Sequence, residues 1–434
     1  MKRAHKRWKI LALMLVCLVF GSGCADKKTE PEIYLDEKDQ DIVISLFAQD
    51  MVIAEMIESC CENVINPDNN RNIILYSDAA SFYGEEGLSY RELLLKRLES
   101  GQADDLYIIP AEDVMEFDSK GYIYDLSELS CLNNLSEDAL QQSTYNGKVF
   151  SAPLSYTGFG AIWNVDMLKQ YGLEIPTNRA EFWTVCETLK ENGILPYGAN
   201  KDFGLSLPAM CAGLGPLYQD PQSDMLVDKL STGEMPISAY MREGFTVLQT
   251  MVDKGYLDPT LALETLPNSD EEVAFFKEGN CAFITAICRA KAFSYDYPFE
   301  VQMTALPLLE DGAICVVGAD QRLAVNPKSE HLEETLLIVD NLCTVENLNA
   351  LARQLGKTSS ARGNEAATLP QADPLVACMA QGGQIPNQDF KLHFNTWNTI
   401  KELSVKICQG ASVEDICQEY DALQLQEIEQ YQSN

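Results

Sequence analysis

Between residues 41 and 110, short runs of strand character alternate with runs of helical character, and few chain paths satisfy that alternation. DIVISLF (41–47) is β-branched and alternating, and NIILYS (72–77) is a second run of the same kind. Between them, MVIAEMIESCCENVIN (51–66) spaces its apolar residues for a helix. Ser89 opens the next helix, with Glu92 three residues on as the other half of a capping box. Leu93, Leu94 and Leu98 share one face of it, and Gly101 stops it. DLYIIP (105–110) is a third strand, bounded by Pro110. Such repeats connect right-handedly and build a mainly parallel α/β sheet. Open sheets of this type hold ligands beyond their strand ends.

Farther along, YNGKVFSAPLSYTGFGAIWN (145–164) mixes five aromatics with Gly147, Gly158, Gly160 and Pro153. The glycines and the proline argue against one long helix. Asn178 with Glu181 starts a helix that ends at Gly193, and another spans about 239–254 before Gly255. EEVAFFKEG (271–279) reads as a helix and NCAFITAI (280–287) as a buried strand. VQMTALP (301–307) and QRLAVNP (321–327) read as strands, and Ser329 is expected to cap a helix running to about Cys343. The last fifty residues are amphipathic and helical.

The N-terminus has another purpose. Lys2, Arg3, Lys6, Arg7 and Lys9 precede the apolar run Ile10–Phe20, followed by Gly21, Ser22, Gly23 and Cys24. That is the layout of an export signal over 1–23, with an apolar run too short to span a bilayer comfortably. A Cys after small residues resembles a bacterial lipobox, so Cys24 is expected to be acylated and to anchor the chain outside the membrane. Residues 24–40 form a charged, aperiodic tether. Removing the signal's five positive charges takes the net charge from −33 to −38. Such a balance repels nucleic acid and anionic lipid surfaces.

Catalytic signatures are absent or incomplete. No G-x-S-x-G elbow exists. LGKTSS (355–360) looks like the tail of a P-loop, but the first glycine would fall on Leu351. GFG (158–160) lacks the third glycine of a dinucleotide fingerprint. His5, His331 and His393 are the only histidines, too few to suggest a histidine-based metal centre, and no cofactor or metal is expected. Of the 14 cysteines, twelve remain without Cys17 and Cys24; exported chains can pair cysteines, yet these spacings form no compact framework and suit buried free thiols.

Several segments, in order, resemble the family 1 extracellular solute-binding proteins of ABC importers, particularly the carbohydrate binders. ESGQADDLYIIP (99–110) is similar to the family's G-x-x-P-D strand entry, and KGYIYDLSEL (120–129) to the G-x-L-x-D-L-S that follows. YNGKVFSAP…IWNVDMLKQYGLEIP (145–176), AFFKEGNCAFI (274–284) and LPLLEDGAICVVGADQRLAVNPKS (306–329) resemble later family segments. The resemblance implies two α/β lobes, each a mainly parallel sheet flanked by helices, with a ligand cleft between them. Expected boundaries are 41–153 plus 320–352 for the first lobe and 154–319 plus 353–434 for the second. It further implies a monomer that captures a small solute, a sugar or oligosaccharide, by hinge closure and passes it to permease subunits.

Likeness to the maltose-binding members places ligand contacts at Asp50, Glu112, Tyr156, Thr157, Arg289 and Trp397. Arg289 stands where a stacking Trp is common, which favours an acidic or phosphorylated sugar or a peptide carboxylate. Two alternatives remain at this level. One is a solute-sensing lipoprotein partnered with a membrane kinase; the other is an extracytoplasmic carbohydrate-active enzyme, which rests only on abundant carboxylates.

Overall fold

β1 (Ile42–Ala48), β3 (Asn72–Ala79) and β4 (Leu106–Ile109) pair in parallel, as the alternation predicts. The computed structural model describes residues 41–80, 88–362 and 369–433, so the export segment, Cys24 and the tether lie outside the described residues. The helix after β1 covers Met51–Ser59, shorter than the periodicity suggested. Beyond it, β-branched Val64 and Ile65 form β2 at the sheet edge, antiparallel to β3. An Asn66-centred turn leads back into β3, with the Asn66 carbonyl accepting from Asn70 N and its side chain from Asp68 N at 2.9 Å each.

The predicted capping box is present. Glu92 N donates to Ser89 Oγ at 3.3 Å, and Ser89 N donates to Glu92 Oε2 at 2.7 Å. The helix Tyr90–Ser100 ends at Gly101, whose φ of +70° suits a residue without a Cβ. Ser329, by contrast, does not cap the helix that follows it. Its hydroxyl donates to Asp105 Oδ1 at 2.6 Å and accepts from His331 N at 3.1 Å, and the helix opens at Leu332. The half-buried Asp105 carboxylate at the foot of β4 has claimed it.

Two long strands carry the sheet from its first half to its second. After a small hairpin of β5 (Thr144–Tyr145) and β6 (Lys148–Val149) comes β7 (Ala152–Asn164), 13 residues and all buried. Then follow β8 (Leu195–Gly198), β9 (Cys281–Ile287), β10 (Val301–Thr304), β11 (Leu306–Leu309), β12 (Gly312–Val325) and β13 (Gln384–Pro386). The order is β2-β3-β1-β4-β12-β7-β9-β8. β7 and β12 run antiparallel, from Val316 opposite Phe159 to Leu323 opposite Ala152. β4 pairs only with residues 322–325 of β12, and β9 only with residues 159–163 of β7. Each crossing strand therefore belongs to the first half at one end and to the second at the other.

Among the described residues, parallel pairing is confined to β3-β1-β4, to β8-β9 and to the short β12-β13 contact. The second half is mixed, because the chain leaves along β7 and returns along β12 through one junction. Gly160 allows a close approach there: a Cβ would lie 2.6 Å from Thr304 O on β10.

The core divides likewise. Ile44, Leu46, Leu106, Leu323 and Ile338 pack in the first half, with Phe47, Tyr107, Tyr145 and Phe150 in a second cluster beside them. Phe159, Trp163, Phe182, Met210, Phe245 and Phe283 pack in the second half. Separate first-half and second-half cores, joined by the crossing strands and by a further cluster that includes Ala139, Tyr156, Ile162 and Phe276, make the molecule two-lobed. The second-half core is built around a helix that periodicity did not mark, Phe203–Gln219, with Pro208 and Pro216 inside it. It is apolar all round, as fully buried helices are. Pro208 cannot donate to the Gly204 carbonyl; the Tyr197 hydroxyl donates to that carbonyl instead. Among the described residues no helix is long and apolar enough to cross a membrane.

Candidate functional site

Opposed residues of an antiparallel pair project to the same face, and alternate residues along a strand share it. Ser155, Thr157 and Phe159 of β7 therefore share a face with Asp320 of β12, which is opposite Ser155. Both hydroxyls donate to Asp320 Oδ2, at 3.3 Å each, and the Lys357 ammonium bonds to the same oxygen. Burial alone would raise the Asp320 carboxyl. Lys357, the Gln321 N–H and Thr157 outweigh that and hold it below the ordinary carboxylate range.

Lys357 lies in the P-loop-like string, which has another use here. Thr358 O accepts from Tyr156 N at 2.8 Å, and Ser360 Oγ donates to Pro153 O at 2.6 Å. The segment is a strap along the crossing strand, and it delivers the ammonium to Asp320.

A change at Lys357 should expose this arrangement. Lys357→Met is expected to cost about 2 kcal/mol at pH 7, between an exposed and a fully buried pair, because it strands the Asp320 charge. Asp320 has a depressed folded pKa, so its contribution is present above the unfolded value near 4 and is lost as pH falls through the folded value. The penalty of Lys357→Met should therefore shrink at about pH 4, where the stranded carboxyl is neutralised. Urea unfolding at the two pH values measures both.

Next along the same face stands an aromatic patch. Phe159 touches Phe203 at 5.5 Å and Trp397 at 5.3 Å between ring centroids. The two phenylalanines are buried, while Trp397 is half-buried. Trp397 begins the helix Trp397–Cys408, and the buried Gln388 Oε1 fixes the approach by accepting from Thr396 N at 2.8 Å. Lys401 Nζ lies 5.3 Å from the indole centroid and 3.1 Å from Asp202 Oδ1. The face thus carries hydroxyls, carboxylates and ammonium groups beside a ring platform. Sugars need that combination, having apolar ring faces and hydroxyl edges.

The six residues expected at the site are placed as follows. Thr157 and Trp397 lie on this face, joined through Phe159. Tyr156, one residue from Thr157, points to the opposite face. There it is 5% exposed in an apolar cluster, its hydroxyl accepting from Gln142 Nε2 at 2.9 Å, and burial pushes its phenol up. Arg289 follows β9, tied to the junction by Cys288 N donating to Gly158 O at 2.8 Å. Its guanidinium donates to Asn268 Oδ1 at 3.0 Å, beside a small cavity walled by Glu272, Tyr295 and Tyr297. Asp50 follows the C-terminal end of β1 and caps the next helix, accepting from Ile53 N at 3.0 Å. Glu112 lies in the turn Ala111–Asp113 after β4, and its side chain is outside the described residues. Both belong to the first half, and no described contact joins them to Thr157 or Trp397.

Periodicity did not point to Asp202, Phe203, Asp320, Lys357 or Lys401. One signal was available: Asp320 opens the polar run Asp320–Arg322 inside an apolar strand, a position where charge needs a partner. Among the described residues, no group of three or more His, Cys, Asp or Glu stands close enough to hold a metal ion.

A family model described as bacterial extracellular solute-binding protein matches residues 89–377. The multiple sugar-binding protein of Streptococcus mutans is 24% identical over 268 residues, 58% of this chain and 61% of that one, so the match spans under two thirds of the relative. A family 1 extracellular solute-binding protein from Bifidobacterium longum subsp. infantis superposes with a TM-score of 0.69 at 16% identity, covering 88% of this chain and 98% of that chain. Apo RafE from Streptococcus pneumoniae gives 0.68 at 14% identity, covering 89% and 98%. A Bacillus licheniformis sugar transporter in complex with stachyose gives 0.61 at 16% identity, covering 88% and 100%.

Proposed function

Because this chain belongs to the bacterial extracellular solute-binding proteins, we propose that it captures an oligosaccharide between its two lobes and hands it to an ABC importer. The observation that carries the reading is the face shared by β7 and β12, where Thr157, Asp320 and Lys357 adjoin the Trp397 platform. Stachyose in one structural neighbour and the sugar-binding name of the curated relative support the ligand class.

The mechanism follows from where the face lies. It straddles strands common to both halves, so a ligand seated on it touches one lobe and is covered when the other closes. Closure is favoured only by contacts made in the closed state and not in the open one. Asp50 and Glu112, beyond the ends of β1 and β4, are the first-lobe groups proposed to make them. Residues 41–153 with 320–352, and 154–319 with 353–434, would then move as two bodies about the junction. Cys24 would hold the chain at the outer membrane face through residues 25–40, and the chain would bind without turnover.

Calorimetry on residues 25–434 with raffinose, stachyose, xylo-oligosaccharides and chito-oligosaccharides tests this. Saturable heat with at least one glycan, and no new reducing ends on long incubation, is the expected result. Silence toward every glycan beside a clear response to peptides would sink the carbohydrate assignment.

A further inference from the structure

Glu272 is a carboxylate only 5% exposed, in the first turn of the helix Asp270–Lys277. Buried carboxylates are normally paired with a cation, yet among the described residues none pairs with this one. Its two oxygens instead accept from Asn200 Nδ2 at 2.7 Å and from Asn268 N at 2.6 Å.

Each donor holds a loop. Asn200 is wholly buried and accepts through Oδ1 from Asp202 N at 3.1 Å and Gly204 N at 2.9 Å, which sets the start of the helix Phe203–Gln219. Asn268 sits at φ +57°, a conformation Asn tolerates better than most side chains, and its Oδ1 accepts from Arg289. One loop carries Asp202 and Phe203 to the aromatic patch. The other steadies Arg289 beside the junction. A glutamine could not replace the carboxylate here, because it offers one acceptor oxygen to two N–H donors.

We propose that Glu272 is a positioning residue for the ligand site: ionised, it holds loops 199–204 and 265–269 in one arrangement, and protonation releases one of them and weakens binding. The inference rests on the carbohydrate reading for its ligand and on geometry alone for its loops.

Burial pushes the Glu272 carboxyl up to about 7, against the bonds from Asn200 and Asn268. The groups facing it are Tyr197 on β8, Cys281 on β9, Tyr297, Tyr295 and Arg289. The phenols of Tyr197 and Tyr297 and the Cys281 thiol are themselves pushed up by burial, so they stay neutral near pH 7.

Stability and affinity should then move in opposite directions with pH. The folded pKa lies above the unfolded one, so this group's contribution to stability is greatest at low pH and is lost as pH rises toward 7. Affinity falls as pH drops through 7, because a proton on either oxygen faces an N–H donor.

The experiment pairs stachyose calorimetry at pH 6 and pH 8 with hydrogen exchange on the ligand-free protein, wild type against Glu272→Gln. Wild-type affinity should fall about tenfold from pH 8 to pH 6, the scale of one charge-assisted hydrogen bond. Glu272→Gln should bind weakly at both values, with faster exchange in at least one of the two loops. A variant that binds as tightly as wild type at pH 8, or exchanges faster in neither loop, overturns the proposal. If wild type binds no stachyose, the rest of the glycan panel decides the carbohydrate reading, and the exchange comparison alone decides the role of Glu272.

Discussion

Replacing Trp397 with Ala is expected to weaken oligosaccharide binding about thirtyfold, the ~2 kcal/mol typical of a buried aromatic anchor. The indole is the half-buried member of a three-ring patch whose other members, Phe159 and Phe203, are buried behind it. Only its ring is therefore available to lie against a pyranose. Its loss also removes the surface over which Lys401 sits, freeing that ammonium from the geometry in which it meets Asp202. Trp397→Phe keeps a smaller platform and should lose only a few-fold. Because the ring contributes to second-lobe packing, the Ala variant should also melt a few degrees lower, so titrations belong well below its transition. Unchanged affinity in a folded Trp397→Ala protein would reduce the residue to a helix-start packing group.

The ease with which the first half could be read from sequence has a physical basis. β1, β3, β4 and the Ser89–Glu92 box each declare themselves within a dozen residues, by alternation, by a cap, or by a terminal Gly or Pro. In 145–164, the glycines and Pro153 argue against one long helix, and the segment ends in the extended crossing strand β7. Of the segment's rings, Tyr145 and Phe150 pack in the first-half core, Phe159 and Trp163 in the second, and Tyr156 in a further cluster beside the junction. The helix Phe203–Gln219 was silent because a helix buried on every side has no polar face to set a period, and its prolines resemble loop signals. Ser329 misled because an equally good partner, Asp105, lies 224 residues away in sequence.

The site divides along the same line. Of the positions that resemblance suggested, Thr157 and Trp397 fall on the face shared by β7 and β12. Asp320 with Lys357, and Glu272 with Asn200 and Asn268, exist only once the chain has folded. Strand alternation separates Tyr156 from Thr157: neighbours in sequence, they serve opposite faces, one packing and one polar.

Gly244→Ala is expected to be strongly destabilising, although by helix propensity alone it should help by about 1 kcal/mol. Gly244 lies in the helix Ser238–Asp253, which crosses Phe203–Gln219 backbone against backbone. A Cβ there would stand 2.0 Å from Ala209 O and 3.1 Å from Gly213 Cα. The obstacle is main chain, so no rotamer relieves it, and the helices must separate within the close-packed second core. Overpacking of this kind costs about 3 kcal/mol or more, which exceeds the propensity gain. At roughly 2.1 cal/mol/K per residue, 3 kcal/mol lowers the melting temperature by about 4 °C for a unit of this size. Gly213→Ala meets mainly the flexible Met241 Sδ at 2.8 Å and should cost less. Gly312→Ala meets nothing within 4 Å and should be neutral. Calorimetric melting should therefore rank the three as Gly244→Ala, Gly213→Ala, Gly312→Ala in decreasing damage. A Gly244→Ala protein as stable as wild type would mean that the two helices stand farther apart than the backbone contact requires.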